Sequence, residues 1–353
     1  MGIFITDCEG PISKNDNAME LSAYFIPHGE RFFSLLSKYD DYLAYVEKRP
    51  GYEAGDTLRL ILPFIKAFGA TDKKIEEYSR GHILLMPGAS ETLQFISRMM
   101  PAFIISTSYE PYIRALCEVI DFPLQQAYCT KLELDCYSLP PEEEIYLRKV
   151  SVEIAQMPPM EWGEGAKGLD DLPAQSRDTV QRLNQIFWEE IAGMKIGRIL
   201  EEVDPLGGQG KVAALRDILR RRGSRISDVM YVGDSITDLQ VLELVKKGEG
   251  LAVSFNGNSY AIQGAQVACL GRDTRGISIL AQLFASGGKE RVIALLSRWE
   301  EEALRRAGVE ERFLVHLAEV EAGEITPQNR SLWTQKSQRL RRQVRGVKIG
   351  ALG

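Results

Sequence analysis

Short apolar runs separated by long stretches of helical spacing organise this chain. Ile3–Thr6, Ala102–Ile105, Val229–Val232, Leu251–Phe255 and Val267–Leu270 are short and strongly apolar, as strands buried on both faces of a parallel sheet should be. Their alternation with helical stretches predicts an α/β fold, a Rossmann-like parallel sheet with crossover helices. Two interruptions are too long to be crossovers or plain loops. The first, 15–82, carries Leu35, Leu36, Tyr39, Leu43 and Val46, then Leu58–Phe68 and Ile75–Tyr78, and reads as a helical insertion with an aromatic-rich core. The second, 137–204, joins PPEEEIYLRK, the Pro- and Gly-rich MPPMEWGEGAKG and a helical stretch over Asp178–Ile191. It reads as mostly helical, with Pro158–Gly168 as a loop or lid that carries Trp162. The predicted core is then 1–14, 83–136 and 205–285, and 286–353 is a C-terminal helical extension packed outside it.

Composition narrows the functional classes. The 353 residues are 44% hydrophobic and 26% charged, which is globular and long enough for about two domains. No run approaches the ~18 apolar residues of a membrane span, and the first residues lack a signal-peptide pattern, so neither a membrane nor secretion is expected. Cys8, Cys117, Cys129, Cys136 and Cys269 are odd in number and show no CxxC spacing. They suggest neither a disulfide framework nor zinc, and a reducing, cytoplasmic setting fits. His28, His82 and His316 have no ligand spacing. The net charge of -6 argues against a nucleic-acid partner. The basic residues Lys336, Arg339, Arg341, Arg342, Arg345 and Lys348 read as a solvated helix or a loose end. Oligomeric state is left open by the pattern.

In an open parallel sheet, ligands bind outside the carboxyl ends of the strands, and here those ends are polar. The first run stops at Asp7, with Glu9 on the same side of an extended segment. The second ends at Ser106, Thr107 and Ser108, and the third at Gly233, Asp234 and Ser235, with Asp238 one helical turn on. Gly207-Gly208-Gln209-Gly210-Lys211 opens a further helix. Each piece alone is ordinary: a turn after a strand, a helix cap, a glycine loop. Taken together they suit phosphoryl transfer through an aspartyl-phosphate. Asp7 would attack, and Mg2+ would bridge Asp7 and Asp234 to screen carboxylate against phosphate. Lys211 would neutralise charge, Ser106, Thr107 and backbone N–H groups would bind phosphate oxygens, and Asp238 would steer the ion. Glu9 would protonate the leaving oxygen and then activate water. A P-loop is excluded by Pro205 and Val212, and no G-x-G-x-x-G follows the first strand.

These four elements, in this order, resemble the haloacid dehalogenase superfamily: DCEG its first motif, the Ser106 end of AFIISTS its second, Lys211 in GGQGK its third and GDSITD its fourth. LAVSFNGNSYAIQGAQVACL is similar to the end of the core in phosphoserine phosphatase-like members. The resemblance implies a Rossmann-like core with caps in both insertions, Asp7 as nucleophile, and Mg2+ held also by the Glu9 main-chain carbonyl. It implies a phosphatase of a small phosphorylated metabolite. The chain is also similar to archaeal proteins assigned as subunit R of the energy-converting hydrogenase A. Glu9 departs from the Asp usual in this pattern, which moves the acid by one methylene. The rival reading is a subunit or binding module that keeps the fold with weakened catalysis.

Overall fold

The computed structural model describes residues 2–163, 165–315 and 317–346, so His316 and Lys348 lie outside the described residues. Its strands are β1 (Ile3–Thr6), β2 (Ala102–Tyr109), β3 (Ala127–Thr130), β4 (Val229–Gly233), β5 (Leu251–Phe255), β6 (Val267–Leu270) and β7 (Glu321–Glu324). They make one seven-stranded sheet in the order β3-β2-β1-β4-β5-β6-β7. All neighbours are parallel except β7, which runs antiparallel to β6. The five apolar runs are all strands. β3 and β7 are edge strands, and Glu321–Glu324 carries no apolar pattern because one side of it meets no further strand.

The first insertion holds α1 (Asn17–Phe25), α2 (Gly29–Asp41), α3 (Thr57–Ala67) and α4 (Asp72–Gly81). Asp16 caps α1 by accepting from the Met19 N–H at 3.0 Å, which places the helix start right after the crossing from β1. Then come α5 (Ala89–Met99) and α6 (Glu110–Ile120), followed in the second insertion by α7 (Pro141–Gln156), α8 (Ala174–Gln185) and α9 (Ile199–Glu202). The rest of the chain forms α10 (Gly208–Arg222), α11 (Leu239–Lys247), α12 (Ser259–Gly264), α13 (Arg275–Leu296), α14 (Glu301–Arg306), α15 (Glu311–Leu314) and α16 (Arg330–Arg345). Among the described residues no helix is long and apolar enough to cross a membrane.

Alternation along the strands builds three layers. Phe4, Ile104 and Val232 face α5, α6 and α13, while Ile5, Ile105 and Tyr231 face α10, α11 and α12. The two insertions share a third apolar cluster: Phe32, Leu36, Leu60 and Phe64 from the first interlock with Leu147, Ile154, Leu183 and Phe187 from the second. They therefore form one packed helical body rather than two separate lids. Trp162 belongs to it, with Tyr42 edge-on at 6.0 Å and the Lys38 ammonium 4.0 Å above its ring. Of the aromatics in the first insertion, Phe32, Phe33, Tyr39 and Tyr42 are buried, whereas Tyr24 is exposed. The helical body sits over the carboxyl ends of β1, β2 and β4, and a cleft of about 120 Å3 lies between them.

Candidate active site

Asp7 follows β1 directly, and its N–H donates to the Val232 carbonyl at 2.9 Å, so the sheet ladder itself aims its side chain. One carboxylate oxygen accepts from the Cys8 N–H at 2.7 Å. The other meets the Lys211 ammonium at 2.9 Å. Lys211 lies in the first turn of α10, fully buried, and its second partner is Asp238 Oδ1 at 2.7 Å. Asp238 is anchored further: Oδ1 accepts from the Tyr231 hydroxyl at 2.8 Å, and Oδ2 from the N–H groups of Asp234 and Ser235 at 3.0 and 3.1 Å. That set of donors fixes the turn after β4. Gly233 leaves room for it, since a Cβ there would lie 2.6 Å from the Asp238 carboxyl carbon. Asp7, Asp234 and Asp238 offer carboxylate oxygens within 4.8 Å of one another, all buried, a donor set of the type a hard cation takes.

Glu9 and the polar end of β2 line the same cleft. Glu9 Oε1 accepts from the Ser108 hydroxyl at 2.7 Å and from the Asn17 N–H at 2.9 Å, which ties it to the start of α1. Ser106 Oγ lies 3.2 Å from the Ser108 hydroxyl and accepts from the Ser108 N–H at the same distance. Thr107 donates its hydroxyl to the Leu206 carbonyl at 3.1 Å and so joins β2 to the segment that leads into Lys211. Asp7, Glu9, Ser106, Thr107 and Asp234 thus face one space, with Lys211 and Asp238 directly behind Asp7 and Asp234. Neither His28 nor His82 lines the cleft, and His82 stacks on Tyr78 at 4.0 Å.

Burial dominates the electrostatics. It pushes the Asp7 carboxyl up to about 8, helped by Asp238 and opposed by Lys211. It pushes Glu9 up to about 8 as well, helped by Asp16 and opposed by Arg345. For Asp238 burial is outweighed by Lys211 and its hydrogen bonds, and the group is held below the usual carboxylate range. Lys211 goes up, because Asp238 and Asp7 outweigh the burial that would lower it. Asp238 and Lys211 are therefore a fixed ion pair, whereas Glu9, with no ammonium against it, can hold a proton near neutrality.

No family model matches the chain. No curated protein matches it either. Among solved structures, gene product AF1437 from Archaeoglobus fulgidus is 28% identical, over 100% of this chain and 99% of that one, with a TM-score of 0.81. The two therefore share a fold end to end. Phosphoserine phosphatase in its apo form matches at 14% identity over 78% of this chain and 96% of its own, with a TM-score of 0.44. A phospho-aspartyl intermediate analogue of phosphoserine phosphatase matches at 15% over the same shares, with a TM-score of 0.45.

Two further residues belong to the site. Arg341 and Arg345 of α16 both reach Asp234 Oδ2, the second through Nη1 at 3.0 Å, and Arg341 also donates to the Asp234 main-chain carbonyl at 3.1 Å. Both line the cleft. The expectation of a solvated tail fits Arg339 and Arg342, which are exposed, and fails for Arg341 and Arg345, whose side chains are 4% and 5% exposed. Trp333, Ser337, Arg341 and Arg345 recur every fourth residue and so lie along one helical face. That spacing was the available signal, masked by the neighbouring charges.

Proposed function

We propose that this chain is a haloacid dehalogenase-type phosphotransferase or phosphatase for a small phosphorylated metabolite. The observation that carries the reading is the buried chain Asp7–Lys211–Asp238 at the carboxyl ends of β1 and β4, beside Asp234. Asp7 attacks phosphorus, the bond to the leaving oxygen breaks, and that oxygen takes the Glu9 proton. Glu9, now a carboxylate, removes a proton from water, which attacks the aspartyl-phosphate and returns the Asp7 carboxylate and free phosphate. Lys211 orients Asp7 and offsets charge on the phosphoryl group, and the Ser106 hydroxyl donates to its oxygens, while the Thr107 hydroxyl is taken by the Leu206 carbonyl. Asp7, Asp234 and the Glu9 carbonyl would hold Mg2+, which supplies positive charge against the phosphoryl oxygens. The carboxylates fit such an ion in kind and spacing, although Asp234 already carries two guanidinium groups. A cleft of about 120 Å3, below the usual range of ligand pockets, admits only a small substrate.

The test is phosphate release with Mg2+ across a panel of phosphorylated metabolites. Asp7→Asn should lower the rate at least about 1,000-fold with the fold intact by circular dichroism. Activity within a few-fold of the parent would remove Asp7 from the nucleophile role. The second reading, a binding or regulatory subunit with weakened catalysis, is favoured by the same guanidinium pair on Asp234 and by Glu9. Silence across the panel from folded protein would select it.

A further inference from the structure

The contacts of α16 extend beyond Asp234. Arg345 donates to the main-chain carbonyls of Lys14, at 3.2 Å, and Asn15. Those residues form the crossing from the sheet into the helical body, where Lys14 N–H pairs with the Leu84 carbonyl of the returning segment. One helix therefore grips a candidate cation ligand and the crossing together. The oxygen it takes is Asp234 Oδ2, which packs against Gly10, the residue next to the Glu9 carbonyl. This is the side on which Asp7, Asp234 and Glu9 would share an ion.

We infer that α16 is an internal competitor for the cation: Arg341 and Arg345 hold Asp234 and the crossing closed, and a divalent cation at Asp7 and Asp234 displaces them. This rests on reading Asp234 as a cation ligand. Two guanidinium groups bring the same charge as one dication to the same buried oxygen. A dication added beside them would meet like charges at contact distance where water screens little, so the two occupants exclude each other. The grip of the helix is also one that can be released. Its buried side chains are Ser337, Arg341 and Arg345, and Ser337 contributes a single hydrogen bond to the Gly257 carbonyl at 2.6 Å. Apolar anchoring is limited to partly buried residues such as Trp333, which lies against Gly323. Arg341 Nε is buried with no hydrogen-bond partner, so withdrawal of the helix relieves an unsatisfied donor. Over the cleft itself, what holds α16 is the ion pairing that a cation would replace; away from it, Lys336 pairs with Glu321 at 2.6 Å and Arg272 donates to Gln343 at 2.7 Å.

The experiment uses the full chain and Mn2+ as the probe. Mn2+ binding is followed by electron paramagnetic resonance of the free ion, and amide hydrogen exchange of 330–345 is recorded with and without Mn2+. The double variant Arg341→Met/Arg345→Met keeps the apolar stems and removes both charges. It should bind Mn2+ at least about tenfold tighter than the parent, and Mn2+ should raise exchange in α16 of the parent several-fold. The exchange measurement needs no variant and stands if the double variant does not fold. Mn2+ binding to the parent with unchanged exchange in α16, or equal or weaker binding by the folded variant, overturns the competition and leaves the phosphotransfer reading intact. No Mn2+ binding by parent or folded variant overturns the cation site, and the competition with it.

Discussion

Gly10 has φ +102°, and a Cβ built on it would lie 2.2 Å from Asp234 Oδ2. Only glycine satisfies both the backbone and the neighbouring carboxylate. The tight turn it allows, closed by its N–H on the Ser13 carbonyl at 2.7 Å, brings the segment after β1 against the segment after β4. Gly10→Ala should therefore cost at least about 2 kcal/mol of stability, from backbone strain plus the displaced carboxylate. Urea unfolding would check this, and a loss under about 0.5 kcal/mol, the usual size of a surface change, would contradict the close packing. Glu9 poses a different question at the same turn. Its longer side chain is bound by Ser108 and Asn17, so the extra methylene is taken up by contacts that place the acid between the end of β2 and the start of α1.

Elements that are remote in sequence meet in the helical body. Phe187, in the π-helical turn Ile186–Ile191 after α8, stacks on Tyr39 of α2 at 6.0 Å and meets Phe64 of α3 edge-on at 6.0 Å. Phe187→Ala opens a cavity in a fully buried position and should destabilise this body by about 3–5 kcal/mol. Because both insertions contribute to the cluster, hydrogen exchange should rise in α2, α3 and α8 together. A rise confined to 137–204 would show that the two insertions open independently. Beneath the helical body, α10 begins within the glycine-rich segment so that Lys211, in its first turn, points at Asp7.

At the scale of the molecule, the sheet and the helical body are joined through Asn15. Its amide donates to the His82 carbonyl at 2.8 Å and its carbonyl oxygen accepts from the Leu84 N–H at 2.8 Å, so both crossings are tied to one side chain. The same amide donates to both Glu20 oxygens at 2.9 Å. Burial pushes Glu20 up to about 7, opposed by that amide. A carboxyl raised in the folded state adds stability that is fully present below its ordinary value near 4.5 and is lost as pH rises through about 7. Thermal midpoints of the parent should fall between pH 5 and pH 8 more steeply than those of Glu20→Gln, which stays neutral. Equal slopes would remove Glu20 from the linkage.

The apolar runs determined the strands and their burial, because residues enclosed on both faces of a sheet must be apolar wherever the chain later leads them. The polar residues that end those runs, Asp7, Ser106, Thr107, Asp234 and Asp238, were legible for a related reason: a polar group at the end of a buried strand needs a partner or a task. Lys211 was legible from the glycines before it. The edge strands β3 and β7 were not, since an edge needs no apolar alternation. Nor was the single core shared by two insertions, because helical spacing marks an apolar face without naming what covers it. Arg341 and Arg345 are the sharpest case. Local pattern cannot distinguish an arginine that meets water from one that meets a carboxylate 107 residues away. Their place on Asp234 was decided only when the chain beyond β6 and β7 brought α16 back over the cleft.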